Sequence, residues 1–259
     1  MLSAWLARAS FSRHLPAAVR TIATPRGGQC HICRRWQSHA ICSTCLTVWQ
    51  CAIRRCQRCA ITLPAAHHDD VCSSCEDVTP EFDRAIAAVD YDGPWPELLT
   101  RLKFNGATAL ARPLATMLAE RIHERRAQAD LIVPVPLSRQ RMTERGYNQS
   151  WLLAKHIERQ LAVAARFDVL TRRQHTQRLM SLSAQERALQ IRDAFEITSA
   201  GQALIGGRHV AIVDDVMTTG ATLDACARTL LEAGARSVSA WVVARTPQPG
   251  RHANQSAQA

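Results

Sequence analysis

No apolar run in this 259-residue sequence approaches the roughly twenty residues that a membrane-spanning helix requires. Runs such as residues 131–137 and 238–244 are strand-length, which predicts a soluble protein. Acid is scarce near the N-terminus, where the first 75 residues hold nine arginines against only Asp69 and Asp70, giving 9 − 2 = +7 of the formal +10 carried by the chain. Such an excess points toward nucleic acid. A G-x-x-x-x-G-K-[ST] run is missing, which excludes a Walker-type nucleotide loop. Residues 1–28 contain Arg8, Arg13, Arg20 and Arg26 and superficially resemble a transit peptide. They read better as a frayed basic leader or a misassigned start codon than as a transit peptide, and with no clear small-residue cleavage site after a long apolar core no secretion signal is expected.

Cysteine is scarce in one region only: past residue 79 the chain has Cys226 alone. Of the ten cysteines, eight form four C-x-x-C pairs, Cys30/Cys33, Cys42/Cys45, Cys56/Cys59 and Cys72/Cys75, with Cys51 left over. A two-residue gap lets both thiolates of a knuckle face one metal, so four knuckles supply two closed four-cysteine shells. This predicts two structural Zn²⁺ ions in a reducing, cytoplasmic setting, with His31, His39, His67 and His68 left for solvent or packing. Short intervening loops favour the sequential pairing of knuckles, and a segment so poor in large apolar residues needs its metal to fold. Each such centre carries −2, which lowers the local excess from +7 to +3 and the whole chain from +10 to +6.

Composition divides the chain into residues 1–28, a basic leader; 29–78, a double zinc ribbon; 79–247, an α/β domain; and 248–259, a disordered tail. In the third region, strands are expected at residues 85–91, 131–135, 209–213 and 238–244. Helices are expected at 97–104, 109–126, 149–161 and 221–232, with Gly234 closing the last. Strand, helix and strand in succession imply right-handed βαβ units in a mostly parallel sheet.

The strongest chemical signal lies at residues 210–222. Four apolar residues form a buried strand, Asp214 and Asp215 emerge at its C-terminal edge, and Thr218, Thr219, Gly220, Ala221 and Thr222 open a helix. Backbone N–H groups, hydroxyls and the helix N-terminus together cradle a phosphate, and Gly220 lets the backbone approach it. Paired carboxylates would repel that phosphate unless they served another part of the ligand. Hydrogen bonding to two ribose hydroxyls, directly or through Mg²⁺, is such a service, so the layout suits a ribose 5-phosphate carrying pyrophosphate.

This loop resembles the phosphoribosyl-pyrophosphate (PRPP) binding motif of type I phosphoribosyltransferases. Together with residues 102–106 (Leu-Lys-Phe-Asn-Gly), 133–137 (Val-Pro-Val-Pro-Leu), 145–150 (Arg-Gly-Tyr-Asn-Gln-Ser) and the cysteine pairs, it is similar to the ComF family. The resemblance implies a type I phosphoribosyltransferase-like, mostly parallel sheet flanked by helices, PRPP binding with Mg²⁺, and a link to competence, DNA uptake and use of DNA as nutrient. Leu179 and Gln190 depart from the family pattern. By the same resemblance the loop after residues 133–137 takes pyrophosphate, through Arg139, Arg141 and Arg145, with Lys103 a further candidate for the anion. Asp214 and Asp215 are the expected catalytic carboxylates, and residues 176–187 a hood over the site. The acceptor is not identified.

A second reading makes the chain a non-catalytic accessory protein that binds single-stranded DNA and uses PRPP as a regulatory ligand. Trp36 beside Arg34 and Arg35, and Trp49 near Arg54 and Arg55, have the aromatic and cationic neighbours that base stacking uses, although core packing is the expectation for the tryptophans. Cys226, in line with Leu223 and Leu230 on a helix, is expected to be a buried small hydrophobe.

Overall fold

The computed structural model describes residues 27–50, 53–173 and 194–247. The expected hood, Leu179, Gln190, Cys51, the tail and nearly all of the leader lie outside the described residues.

Four strands form a fully parallel sheet: β3 (Arg84–Asp90), β8 (Ser237–Arg245), β7 (His209–Met217) and β4 (Leu131–Pro134), in that spatial order. Their alternating residues are buried on both faces, the pattern of a sheet covered by helices on either side. One face, with Ile86, Ala211, Val213, Trp241 and Val243, packs against α3 (Trp95–Phe104), α4 (Ala111–Glu124) and α6 (Gln149–Leu161). The other, with Leu131, Val133, Val210, Ile212 and Val242, packs against α8 (Ala221–Glu232) and the antiparallel pair β5 (Leu170–Arg172) and β6 (Phe195–Ile197). Trp241 is fully buried among Leu residues of the first face, which holds the sheet and the α3–α4 pair together. No helix among the described residues is long and apolar enough to cross a membrane.

The cysteine-rich region supplies β1 (Gly28–Gln29), β2 (Trp36–Gln37), α1 (Ser43–Trp49) and α2 (Ser73–Asp77). It packs directly on the sheet. Trp95 Nε1 donates to the Trp49 carbonyl at 3.1 Å. Gly93 lies so close to the Trp49 ring that a Cβ there would sit 2.5 Å from a ring carbon. Arg55, with a side chain only 8% exposed, reaches Asp90 at the end of β3 at 2.5 Å.

Two further helices arise where the sequence shows little periodicity. α5 (Arg139–Arg145) begins at Ser138, whose hydroxyl accepts from the Arg141 amide, and ends at Gly146 with φ 76°. α7 (Ser199–Ile205) begins at Thr198, whose Oγ1 accepts from the Gly201 amide at 2.9 Å. β7 runs four residues past the expected end at Val213, because Asp214 to Met217 keep their register with Val242 to Arg245 of β8.

Candidate functional site

Asp214 and Asp215 lie in the last stretch of pairing between β7 and β8, at the C-terminal edge of the parallel sheet where open α/β folds receive ligands. Their side chains alternate across the strand, which gives them different surroundings. Asp214 is half-buried and accepts from Ser150 Oγ at 2.8 Å and from the Asp215 amide at 2.9 Å. Asp215 is 2% exposed; its Oδ1 accepts from the Val216 amide at 2.7 Å. Its Oδ2 is 3.1 Å from Lys103 Nζ but lacks an aligned hydrogen bond, leaving a buried carboxylate oxygen with unused accepting capacity. Burial, reinforced by the neighbouring Asp215 charge, pushes the Asp214 carboxyl up to about 7, against the opposing pull of Ser150, the Asp215 amide and Lys103.

The partners are placed by chain-local features. Asn148 caps α6 through its side-chain oxygen, which accepts from the Ser150 and Trp151 amides, while its Nδ2 donates to the Val135 carbonyl at 3.0 Å. This fixes Ser150, itself fully buried, against Asp214. Lys103 projects from the last turn of α3, whose end is tied to the stretch before α6 by the Tyr147 hydroxyl donating to the Leu102 carbonyl.

Beyond the carboxylates the chain turns through Thr218 and Thr219, both exposed, to Gly220 at φ 91° and into α8. A left-handed residue at that point explains the glycine. Gly220 offers no side chain to cap α8, and the Ala221 amide donates to Thr219 Oγ1 at 3.3 Å, so an anion at this helix start would take the place of that hydroxyl. Ala221 and Thr222 form the first turn.

The four expected pyrophosphate contacts take separate positions. Arg139 and Arg141 are exposed on α5, and Arg139 lines a cavity of about 550 Å³ with Met142 and Arg172. Arg145 donates to Gln149 Oε1 at 3.0 Å and stacks 4.6 Å from the Phe104 ring centroid, a scaffold arrangement. Lys103 faces Asp215. Three residues to which sequence reading gave no individual role join the site: Ser150; Arg172, whose pKa is lowered by burial and then by the charge of Arg141; and Arg245, on β8 beside Met217. Ser150 lies in a stretch already singled out, whereas a single Arg within a strand sequence carries no signal of its own.

The cysteines divide into two groups, Cys30, Cys33, Cys42 and Cys45, and Cys56, Cys59, Cys72 and Cys75, each with all sulfurs within 4.8 Å of one another. This is the sequential grouping, and no histidine belongs to either group. A tetrahedral Zn²⁺ with bonds of about 2.3 Å sets its sulfurs about 3.8 Å apart. Cys30–Cys45 at 3.9 Å, Cys33–Cys42 at 3.7 Å and Cys59–Cys72 at 3.6 Å match that edge. Amides also aim at the sulfurs: Cys42 N lies 3.4 Å from Cys30 Sγ, and Cys72 N lies 3.3 Å from Cys56 Sγ. Burial disfavours the Cys30 thiolate, yet amide hydrogen bonds prevail and bring its pKa down to about 6; for Cys56 the Cys59 thiol and surrounding amides bring it to about 4. Both groups fit a double zinc ribbon. Of the tryptophans, Trp95 and Trp241 are core and Trp151 is half-buried, whereas Trp36 is 75% and Trp49 43% exposed, contrary to the packing expectation, and Cys226 is fully buried as expected.

Comparison with known proteins places this geometry in context. A family model for the phosphoribosyl transferase domain matches residues 148–257, a span that holds Ser150, both aspartates and the threonine-rich turn. The chain is 35% identical over 230 residues to the DNA utilization protein YhgH of Escherichia coli (strain K12), covering 85% of this chain and 97% of that one. It is 32% identical over 180 residues to competence protein F of Haemophilus influenzae, covering 67% and 78% respectively. Competence protein ComFC of Bacillus subtilis is 28% identical over 226 residues, with 85% of this chain and 79% of that one covered.

Proposed function

Because this chain belongs to the ComF family, we propose that it binds PRPP with Mg²⁺ at the β7–α8 turn and serves, as its relatives' names suggest, in the use of DNA. The observation that carries this reading is the contiguous run of two inequivalent carboxylates, a left-handed glycine and an uncapped helix start at the C-terminal edge of the sheet. The amides and hydroxyls of residues 218–222 hold the 5-phosphate. Asp214, the half-buried member of the pair, accepts from the ribose hydroxyls, and Asp215, buried against Lys103, supports it from beneath. Mg²⁺, when bound with PRPP, offsets pyrophosphate charge.

The reaction class that follows is pentosyl transfer. The bond between the ribosyl C1 and the pyrophosphate oxygen breaks, its electron pair leaves with pyrophosphate, and an acceptor nucleophile bonds to C1. In this reading the aspartates stabilise positive charge developing at C1 and exposed Arg139 and Arg141 stabilise the departing anion, which Lys103 joins only by leaving its contact with Asp215. Isothermal calorimetry with PRPP and Mg²⁺ tests the site. Binding by the wild type and a loss of at least about tenfold in Asp214→Asn/Asp215→Asn is expected; equal binding by both refutes the assignment.

Exposed Trp36, flanked by Arg34 and Arg35, favours a second reading, in which the chain binds single-stranded DNA and PRPP is a regulatory ligand. Salt-sensitive DNA binding without pyrophosphate release in the presence of candidate bases selects it over the enzyme.

A further inference from the structure

Arg245 is one of four buried polar or charged residues among those described, at 7% exposure, and no carboxylate among them pairs with it. A buried guanidinium without a counter-charge must be satisfied by neutral acceptors, and here these come from two separate parts of the chain. Nε donates to the Cys59 carbonyl at 2.9 Å. Nη1 donates to the carbonyls of Met217 at 3.1 Å, Thr246 at 3.0 Å and Thr218. Cys59 belongs to the second four-cysteine group, and Met217 and Thr218 lead into the phosphate-binding turn. The backbone of Arg245 is held at the C-terminal end of β8, between β3 and β7 and in register with Asp90 and Met217, so the side chain spans two anchored points from a third.

We propose that Arg245 is a positioning residue that couples the second four-cysteine centre to the turn at residues 218–222, so that zinc held by Cys56, Cys59, Cys72 and Cys75 sets the shape of the PRPP site. The first centre packs Cys30 and Cys45 into the core on the α3 side, where its module also meets Trp95 and Gly93 through Trp49, and among the described residues no hydrogen bond leads from it to the turn at residues 218–222. The second is additionally held to the sheet by Arg55 on Asp90, which leaves Arg245 as the contact that leads from a metal ligand into the loop. With the metal in place, the Cys59 carbonyl is fixed, the guanidinium is held by it, and the Thr218 carbonyl turns inward. Coupling between two sites is reciprocal, so PRPP must tighten the second centre by the factor by which that centre tightens PRPP.

The proposal rests on PRPP binding at this turn, and its test separates the two. The full-length, zinc-loaded protein is challenged with a chelator and an alkylating reagent, with and without PRPP and excess Mg²⁺, and alkylation of each cysteine peptide is followed by mass spectrometry. In the wild type, PRPP slows alkylation at Cys56, Cys59, Cys72 and Cys75 by about tenfold, within the usual range for coupled sites, and leaves Cys30, Cys33, Cys42 and Cys45 unchanged. Arg245→Met abolishes the difference and raises the Kd for PRPP by a similar factor, while Arg245→Lys, which keeps the charge and part of the donor set, restores some of both. A merely structural arginine would not produce PRPP-dependent protection confined to one centre. PRPP binding with equal protection of both centres, or with none, overturns the coupling alone. Absence of calorimetric PRPP binding overturns the site reading beneath it. Should Arg245→Met fail to fold, the comparison of centres in the wild type still decides.

Discussion

Replacing Asp214 with Asn removes the one charge whose pKa the site raises most plainly, and the sign of the consequence is fixed by the geometry. Burial and the adjacent Asp215 push the Asp214 carboxyl up to about 7 in the folded protein. The unfolded chain has an ordinary carboxylate pKa near 4. Folding therefore favours the protonated form. The contribution to stability is fully present below about pH 4 and is lost as pH rises through 7. A difference of about three pH units is worth about 4 kcal/mol, and the part of Asp214 that remains in water reduces this to about 2 kcal/mol. Asn keeps an oxygen able to accept from Ser150 Oγ and from the Asp215 amide, so the hydrogen bonds survive the change. Asp214→Asn should thus be as stable as the wild type at pH 4 and more stable at pH 8, with a melting temperature about 4–8 °C higher. Thermal denaturation of both proteins at matched zinc, from pH 4 to pH 8, measures the difference. Zinc–thiolate titration is common to both and cancels. A stability difference that does not grow with pH would show that burial does not govern this carboxylate, and the account of the site would fail with it.

Other outcomes follow from single contacts. Metal analysis should find two zinc ions per chain, and Cys56→Ser should lower the content toward one and the melting temperature with it, because a four-cysteine shell of this size has little apolar core to replace the metal. Leu102→Ala empties a fully buried position between α3 and the sheet and should cost about 2–5 kcal/mol in urea denaturation. Gly220→Ala puts a Cβ on a residue at φ 91°, which should cost about 1–2 kcal/mol and weaken PRPP binding in calorimetry; strain rather than crowding is the cause, since the nearest atom to that Cβ is 3.6 Å away.

Much of the α/β frame is legible because its strands and helices are long and periodic. The helix from Gln149 to Leu161 and the one from Ala221 to Glu232 appear with the bounds that the sequence suggests, each begun by a local signal, the Asn148 cap and the Gly220 turn. The short helix from Ser199 to Ile205 escapes, because Ser-Ala-Gly-Gln shows no apolar stripe. It exists through the Thr198 cap and through contact: a Cβ on Gly201 would lie 2.5 Å from the Val169 carbonyl oxygen. The same division holds at the site. Asp214, Asp215 and the threonine-rich turn are adjacent in sequence and can be read there, whereas Ser150, Arg172 and Arg245 reach the site only through tertiary folding, by 64 residues in the case of Ser150 and Asp214.

The two aspartates also show why their partners are dispersed. Adjacent carboxylates on a strand gain nothing from each other, since proximity raises the proton affinity of Asp214. Each needs its own donor, and the alternation of side chains along β7 sends those needs in different directions. Asp214 meets a hydroxyl from the start of α6, and Asp215 meets an ammonium from the end of α3. Neither donor could come from the loop itself without occupying the surface on which a sugar phosphate would sit. The loop is accordingly supported by Arg245 on the carbonyls of Met217 and Thr218. A cationic side chain drawing carbonyls to one face of a turn presents the donors on the other, and that is the polarity an anionic ligand requires.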